Sequence, residues 1–414
     1  MRDTLFQQPV RAPRANPVCF MGGRFTRIIL GLQENLSFRE ERSHLYGKPS
    51  KVLLLALFLS FRGAAPGDVT RAQQPPAGPV LSEATRDKVV RYIHERFGVP
   101  DTVKMNLGAL RSSFAAGFYE VTVTTEVGKT KHDQVAWVSK DSHYLLLGNL
   151  FAVDGPSNPE VIHRMRETFK IPDNIEMTLG GFHASRAAYF QEAALAIDNG
   201  KGKQEWTVLL AKDGQHAILG KLYTLDVDLR QQALHTISLR NGPSQGPASA
   251  PVTIVEYADL QCPTCATLHE FIETQLLPRY GNKVRVIFKE FPLVGIHDWS
   301  PSAAVACQCA YGMNPSAYVP LRTAIFRSQQ AINITNVRDL LLDYGEQAGV
   351  DRVKLAACID AKSSWPRIEA DLAEGKRVNV DRTPTAFING KMMVGMPSAE
   401  AYYETVDEAL RGAK

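Results

Sequence analysis

The chain has 414 residues, of which 44% are apolar, 22% charged and 8% aromatic. This composition is typical of a folded soluble protein with two to four domains, and it argues against a disordered, collagen-like or polytopic membrane chain. The net charge of +4 is uneven, since residues 1–72 carry 11 Lys and Arg against 5 Asp and Glu, whereas the rest carries 36 against 38. The folded part is therefore not basic, which argues against nucleic-acid binding.

A leader is predicted over residues 1–72. Its apolar run at 52–61 follows Lys48 and Lys51 and precedes small residues. The run is too short for a transmembrane helix, which needs about 20 residues, and it is typical of a signal peptide. Because the run lies far from Met1, either the start codon is placed too far upstream or the leader is a cytoplasmic extension with an uncleaved membrane anchor. Both alternatives predict a periplasmic or other extracytoplasmic protein.

Two segments, 83–154 and 160–228, repeat each other at a fixed offset of 72 residues without a gap. Each predicts an amphipathic helix followed by alternating strands, so the fold expected here is two duplicated small α+β units. Their histidines show no metal-ligand spacing and are expected to be ordinary surface or packing residues. The matching segments are Phe97–Asp101 with Phe169–Asp173 and Leu147–Phe151 with Leu219–Tyr223; the histidines are His132, His143, His163, His183 and His216.

The closing Gly-x-Leu-Tyr/Phe-x-Leu/Val-Asp pattern of each unit resembles the amino-terminal dimerisation domain of periplasmic disulfide isomerases of the DsbC/DsbG type. A generic α+β accessory module is the alternative. The resemblance implies that the units could pair within one molecule, leaving a monomer with a broad binding arm for unfolded chains. The opposing possibility is that one unit stays free and drives homodimerisation. The short connection at 155–159 favours internal pairing, and hence the monomer.

Residues 240–251 are rich in Pro, Gly and Ser and predict a linker to a third domain over 252–412. A β-branched strand there leads to the sequence Cys262-Pro263-Thr264-Cys265, which an amphipathic helix follows. A thiol at a helix amino terminus is stabilised as the thiolate by free backbone N–H groups and the helix dipole. Pro263 suits the first helical turn, because it has no N–H to satisfy. Cys262 is therefore the candidate nucleophile and Cys265 the resolving thiol of a redox pair.

Half of a zinc site is the alternative use of this Cys-x-x-Cys pair. The other cysteines of the domain, Cys307, Cys309 and Cys358, lack the paired spacing of a zinc ribbon, so the redox interpretation is preferred. A structural disulfide between Cys309 and Cys358 is favoured, with Cys307 as the rival partner. The cluster of Met392, Met393 and Met396 predicts packing in the core or in a substrate groove, in preference to soft-metal binding.

The later elements are a strand at 283–288, helices over about 302–373, a Thr383-Pro384-Thr385 turn, an Asn-Gly hairpin and a last helix. This order resembles the thioredoxin fold with an inserted helical subdomain. The pattern Glu-x-x-x-x-x-Cys-Pro-x-Cys, together with the segment Phe288–Leu293 and the later His297, resembles the secreted DsbA-like family of thiol–disulfide oxidoreductases.

That resemblance implies a role for several further residues. Pro384 is expected to be a cis-proline facing the dithiol, with Thr383 before it offering backbone hydrogen bonds to a substrate chain. Glu256 is expected to be a buried acid that assists proton transfer, the alternative being a solvated carboxylate at a strand end. The dipeptide Pro263-Thr264 lacks the histidine of the most oxidising relatives, so a milder oxidant is expected.

The function expected is an exported thiol–disulfide oxidoreductase or isomerase that acts on unfolded or partly folded secreted proteins. Its redox-active disulfide is the only cofactor expected, and a membrane redox-recycling partner would restore it. A non-catalytic binding or chaperone module on the same fold is the alternative. The sequence leaves open the net redox direction, the individual substrates and the oligomeric state.

Overall fold

The computed structural model describes residues 81–127, 130–198, 203–240 and 242–413. The predicted leader, including the apolar run at 52–61, lies outside the described residues. Within these ranges, none of the helices combines the length and the apolarity that a membrane crossing requires.

The first N-terminal unit is a helix followed by five antiparallel strands. Its helix α1 (Glu83–Phe97) begins at Ser82, whose side chain caps the first turn, and ends at Gly98 in the left-handed conformation. Val89 and Ile93, one helical turn apart, are buried against the sheet. The strands are β1 (Lys104–Leu107), β2 (Arg111–Ser112), β3 (Phe118–Val127), β4 (Thr130–Ser139) and β5 (Tyr144–Ala152).

The second unit repeats this order. Its helix α2 (Asn158–Phe169) ends at Lys170, which takes the left-handed conformation that Gly98 has in the first unit. A further helix, α3 (Leu229–Thr236), follows this unit and was not predicted from the sequence. The strands are β6 (Glu176–Leu179), β7 (His183–Ala184), β8 (Phe190–Asp198), β9 (Lys203–Ala211) and β10 (His216–Thr224).

The two units form one sheet, in the strand order β1-β3-β4-β5-β10-β9-β8-β6, with β2 on β3 and β7 on β8. The units meet where β5 pairs with β10 and Gly148 lies opposite Gly220. A Cβ atom at Gly220 would lie 2.2 Å from the Leu147 carbonyl oxygen, and one at Gly148 would lie 2.5 Å from that of Leu219. The glycine of the repeated pattern is therefore required by the close approach of the two strands.

Pairing of the two units also buries apolar side chains from both. One core cluster contains Phe118 and Trp137 of the first unit together with Phe190 and Ile218 of the second. Phe118 and Phe190 meet edge to face with ring centroids 5.3 Å apart. The units therefore satisfy each other's edges within one chain, which is the arrangement that the short connection favours.

The C-terminal domain is built on a second sheet, in the order β11-β13-β12-β14-β15. The central strands β12 and β13 are parallel, whereas β14 runs antiparallel to β12 and forms a hairpin with β15. Asn389 and Gly390 form the hairpin turn with positive φ angles, as an Asn-Gly pair favours. The strands are β11 (Ser244–Gln245), β12 (Val252–Ala258), β13 (Val284–Glu290), β14 (Thr385–Ile388) and β15 (Lys391–Val394).

The segment 240–251 is more than the linker that its composition predicts. Ser244 and Gln245 form the edge strand β11 against β13, and the Phe288 backbone N–H donates to the Pro243 carbonyl. Gly246 turns the chain with a φ of +84°, so close to β13 that a Cβ would lie 2.3 Å from a carbonyl oxygen. Pro- and Gly-rich composition here marks a tight turn beside an edge strand and not only a flexible connection.

Helices surround this sheet. α4 (Pro263–Phe271) continues through a π-helical turn at Ile272–Leu276 into α5 (Leu277–Tyr280). Five helices lie between β13 and β14 over 300–377, slightly beyond the predicted limits of 302–373. They are α6 (Ser300–Met313), α7 (Tyr318–Arg327), α8 (Val337–Gln347), α9 (Arg352–Asp360) and α10 (Trp365–Arg377), and the last helix of the chain is α11 (Ala399–Gly412).

We expect the chain from residue 73 onward to sediment as a monomer at micromolar concentration, because β5 and β10 occupy each other's edges. Analytical ultracentrifugation across a tenfold concentration range measures this. A stable dimer would contradict pairing of the two units within one chain, and it would place a second dithiol in the assembly.

Candidate active site

The two cysteines of the Cys-x-x-Cys pair lie between the end of β12 and the start of α4. Cys262 occupies the N-cap position of the helix, and the backbone N–H groups of Cys265 and Ala266 donate to its carbonyl oxygen. Cys262 keeps 9% of its surface exposed, whereas Cys265 is fully buried. One sulfur can therefore meet a partner protein while the other is shielded by the helix.

The two thiols differ sharply in acidity. A hydrogen bond from the Cys265 side chain lowers the pKa of Cys262 to about 6, against the opposing effect of burial, and the Cys265 backbone N–H and the Thr383 side chain act in the same direction. Burial raises the pKa of Cys265 well above its usual value, and its interaction with Cys262 adds to the shift. Near neutral pH the pair is thus a nucleophilic thiolate beside a protonated thiol.

The Thr383–Pro384 peptide bond is cis and lies against the dithiol. The Cys262 thiol donates to the Thr383 carbonyl oxygen over a sulfur–oxygen distance of 3.5 Å. After the proline, the Gly395 N–H donates to the Pro384 carbonyl at 2.7 Å. The structure therefore brings Thr383 and Pro384 to Cys262, as the family resemblance implies.

Glu256 lies on β12 with its side chain completely buried, so the alternative of a solvated strand-end carboxylate is wrong. Burial raises the pKa of Glu256, and the Arg322 guanidinium, which donates to its Oε2 at 3.0 Å, counteracts that shift. The other oxygen, Oε1, has no hydrogen-bond partner. The charge of Glu256 in turn contributes to the raised pKa of Cys265.

Two residues beside the dithiol were not recognised as a pair from the sequence. Asp259 is buried in the turn before Cys262 and accepts backbone hydrogen bonds from Gln261 and Leu293, each at 2.7 Å. His297 comes from the loop after β13, and its Nδ1 lies 2.9 Å from the Asp259 carboxylate. Because Asp259 and His297 are far apart in the sequence, their contact could not be predicted from it. The position of His297 after Phe288–Leu293 was the only feature that pointed to this histidine.

His297 brings an imidazole towards the thiolate from outside the Cys-x-x-Cys motif. Burial works to lower the pKa of His297, but the Asp259 carboxylate and the Cys262 thiolate outweigh it and raise that pKa. The protonated imidazole therefore persists closer to neutral pH, where it favours the thiolate of Cys262. Although the dipeptide Pro263-Thr264 supplies no histidine, the fold does place one nearby.

Gln329 holds the turn that carries Cys262, and sequence reasoning missed it too. Its amide nitrogen donates to the Leu260 carbonyl at 2.8 Å and to the Cys262 carbonyl at 3.1 Å. Gln261 fixes the same turn from the other side, because its side-chain oxygen accepts the backbone N–H groups of Trp299 and Ser300 at the start of α6. The inserted helices thus determine where Cys262 sits.

The remaining cysteines lie on the inserted helices. Cys309 on α6 and Cys358 on α9 form a disulfide with a Cα–Cα distance of 6.1 Å. Cys307 is a free, fully buried thiol.

Among the described residues, no group of three or more His, Cys, Asp or Glu side chains is arranged to hold a metal ion. Met392 and Met393 on β15 are buried in the domain core.

Comparison with known proteins finds similarity over part of the chain. The thioredoxin family model matches residues 238–408. Disulfide bond formation protein D of Bacillus subtilis is 25% identical over 179 residues, which cover 42% of this chain and 80% of that protein. Na(+)/H(+) antiporter NhaA 3 of Salinispora tropica is 29% identical over 170 residues, 41% of this chain and 25% of that protein. The crystal structure of oxidised BdbD from Bacillus subtilis is 23% identical, covers 42% of this chain and 96% of that one, and has a TM-score of 0.40.

The family match confirms the thioredoxin fold expected for the C-terminal domain. In sequence the chain is similar to disulfide bond formation protein D. The chain spans only about a quarter of the length of the antiporters that it matches, so their transport activity does not carry over to it. The N-terminal units fall outside the family match, and their likeness to the DsbC/DsbG dimerisation domain stays a prediction.

Alkylation of reduced protein with iodoacetamide should modify Cys262 at a rate that rises with pH to a plateau, with its midpoint near pH 6. The thiolate is the reacting species, so the rate follows its fraction. Peptide mass spectrometry of quenched samples measures the modification at each cysteine. Cys265 and Cys307 serve as internal controls and should stay unmodified, because both are buried with raised pKa values. A midpoint near pH 9 would contradict the assignment of Cys262 as an activated thiol.

Proposed function

We propose that the chain is an exported protein thiol–disulfide oxidoreductase that forms or isomerises disulfides through Cys262-Pro263-Thr264-Cys265. The observation that carries this proposal is the pairing of an acidic, slightly exposed thiol with a buried, weakly acidic one beside Thr383 and Pro384. A purely structural pair of cysteines needs no such difference in pKa. Thiol–disulfide exchange does need it, since the attacking thiolate and the resolving thiol have different tasks.

In the oxidising direction, a substrate thiolate attacks the Cys262 sulfur of the Cys262–Cys265 disulfide, and Cys265 leaves and takes up a proton. A second substrate thiolate then attacks the substrate sulfur of the mixed disulfide. The substrate disulfide forms, Cys262 leaves as a stabilised thiolate, and the protein is left with two reduced cysteines. A low pKa of Cys262 favours this direction, because it stabilises the reduced product.

In the isomerising direction, the Cys262 thiolate attacks a wrong disulfide and forms the mixed disulfide. Escape requires Cys265 to lose its proton and attack the Cys262 sulfur, which releases the substrate thiolate. We assign the uptake of that proton to Glu256, whose Oε1 is buried without a hydrogen-bond partner and whose charge is felt by Cys265. The raised pKa of Glu256 suits it to exchange a proton with a thiol.

Unfolded or partly folded secreted proteins are the proposed substrates. Val294 and Ile296 expose apolar side chains on the loop that Asp259 holds beside the dithiol, with 59% and 38% of their surfaces accessible. Such a surface suits the apolar segments that unfolded chains display. The redox-active disulfide serves as the only cofactor in this proposal, and a membrane redox partner restores it.

The proposed location is periplasmic or otherwise extracytoplasmic. The Cys309–Cys358 disulfide supports it, because such bonds persist in oxidising compartments. The signal-like run at 52–61 gives independent support from the sequence.

Reduced protein should catalyse the reduction of insulin by dithiothreitol, and Cys262→Ser should abolish that catalysis because the variant has no attacking thiolate. Turbidity of the precipitating insulin B chain measures the reaction. Cys307→Ser is the matched control and should retain activity, since this thiol is buried away from solvent. No activity in the wild type, or full activity in Cys262→Ser, would favour the non-catalytic binding module.

Glu256→Gln should lengthen the lifetime of the mixed disulfide on the order of a hundredfold, because the amide keeps the shape of the side chain but cannot accept the proton of Cys265. Quenched-flow gel analysis of a mixed disulfide with a cysteine peptide measures the lifetime. Glu374→Gln is the matched control: Glu374 is also buried, and it pairs with the Tyr257 hydroxyl and the Lys289 ammonium, away from Arg322. Equal effects of the two variants would show that general disturbance of the core is responsible.

A further inference from the structure

The end of helix α1 contacts the segment that leads into the cis-proline. Arg96 is only 5% exposed, although it carries a full charge. Its Nη1 donates to the Asn379 carbonyl at 3.4 Å, and its Nη2 lies 3.6 Å from the Asp381 carboxylate. Asp381 is two residues before Thr383, so an N-terminal side chain holds the backbone immediately upstream of the site.

Both N-terminal units contribute to the position of Arg96. Its guanidinium lies 5.1 Å from the ring centre of Phe97 in the first unit and 5.5 Å from that of Tyr223 in the second. An aromatic ring on each unit therefore confines the charge, with cation–π attraction in its favour. The guanidinium is placed against the C-terminal domain by the paired units as a whole.

A second contact reaches the segment that follows the cis-proline. Gly98 lies so close to β15 that an added Cβ would be 2.6 Å from Cγ2 and 2.7 Å from the backbone nitrogen of Val394. Val394 pairs with Thr385, the residue after Pro384. The first unit thus touches the chain on both sides of the Thr383–Pro384 bond.

The second unit has neither feature. At the offset of 72 residues, Thr168 stands in place of Arg96 and Lys170 in place of Gly98. Lys170 adopts the same left-handed backbone conformation, with a φ of 54°, so the fold of the unit does not itself demand glycine there. Arginine and glycine in the first unit are therefore explained by the contact with the C-terminal domain and not by the architecture of the repeat.

We propose that Arg96 is a positioning residue for the dithiol, through which the N-terminal units hold Thr383 against Cys262. The inference rests on the proposed function, and it adds the N-terminal units as a determinant of reactivity. The path is short: Arg96 holds Asn379 and Asp381, Thr383 follows, and the Cys262 thiol donates to the Thr383 carbonyl. Without Arg96 the loop gains freedom, and Thr383, whose side chain contributes to the lowered pKa of Cys262, is held less closely to the sulfur.

The test uses the full chain with Arg96→Gln. The midpoint pH of Cys262 alkylation should rise, and kcat/KM for insulin reduction should fall about threefold to tenfold, the range usual for coupling through a neighbouring segment. Arg96→Lys should recover part of both losses, because it keeps the charge near Asp381 but not the forked geometry. Arg166→Gln is the matched control, since Arg166 on α2 also donates to backbone carbonyls but stays within its own unit.

A double-mutant cycle with Asp381→Asn locates the effect. If Arg96 acts through Asp381, the two variants together should cost less than the sum of their separate effects. Wild-type behaviour of Arg96→Gln in both assays, or an equal loss in Arg166→Gln, would overturn the proposal. Inactive wild-type protein would instead overturn the proposed function, and the alkylation midpoints would still decide the role of Arg96. Thermal unfolding shows whether each variant folds. If Arg96→Gln does not fold, the alkylation midpoints of Arg96→Lys and Asp381→Asn test the proposal in its place.

Discussion

One buried guanidinium connects the sheet of the C-terminal domain to the helices inserted into it. Arg322 on α7 is inaccessible to solvent and donates to Glu256 on β12 and to the hydroxyl of Tyr318, which in turn donates to Glu290 on β13. A charge in such surroundings is tolerated only when it is paired and hydrogen-bonded, so removal of either partner leaves a costly unpaired group. The ring of Phe288, 4.8 Å away, encloses it further.

Under the proposed function, this arrangement makes the inserted helices part of the chemistry. The helix that carries Arg322 also sets how strongly Glu256 holds its proton, because the guanidinium opposes the effect of burial on that pKa. The insertion also supplies Gln329, which holds the carbonyl of Cys262. A thioredoxin sheet alone would offer the cysteines, whereas the inserted helices adjust the acid next to them and the turn on which they sit.

The sequence predicted those parts of the site that depend on local signals. The strand before Cys262, the helix after Cys265 and the Asn-Gly hairpin each follow from a few consecutive residues, and Pro384 was identified through the family pattern. The partner of Glu256 could not be predicted in this way, since Arg322 lies 66 residues further along the chain. Pairing of that kind is decided by packing of distant elements, which leaves no periodic signal.

The duplicated units also combine features that the sequence predicts with contacts that only the fold reveals. Their repeat predicted two similar folds and suggested that they pair, but the close approach of Gly148 to Gly220 is visible only once β5 lies beside β10. Departures from the repeat were equally informative, although the sequence alone could not explain them. Arg96 and Gly98 differ from Thr168 and Lys170 because Arg96 and Gly98 contact the C-terminal domain.

The pairing of β5 with β10 has a kinetic consequence, because both strands belong to one polypeptide. Two such units on separate chains would come apart on dilution, at a rate and extent set by their affinity. Here the connection at 155–159 keeps them at an effective local concentration of the order of millimolar, whatever the protein concentration. Formation of the joint sheet is thus a first-order event within a single molecule, and it can be completed before the chain meets any other copy of itself.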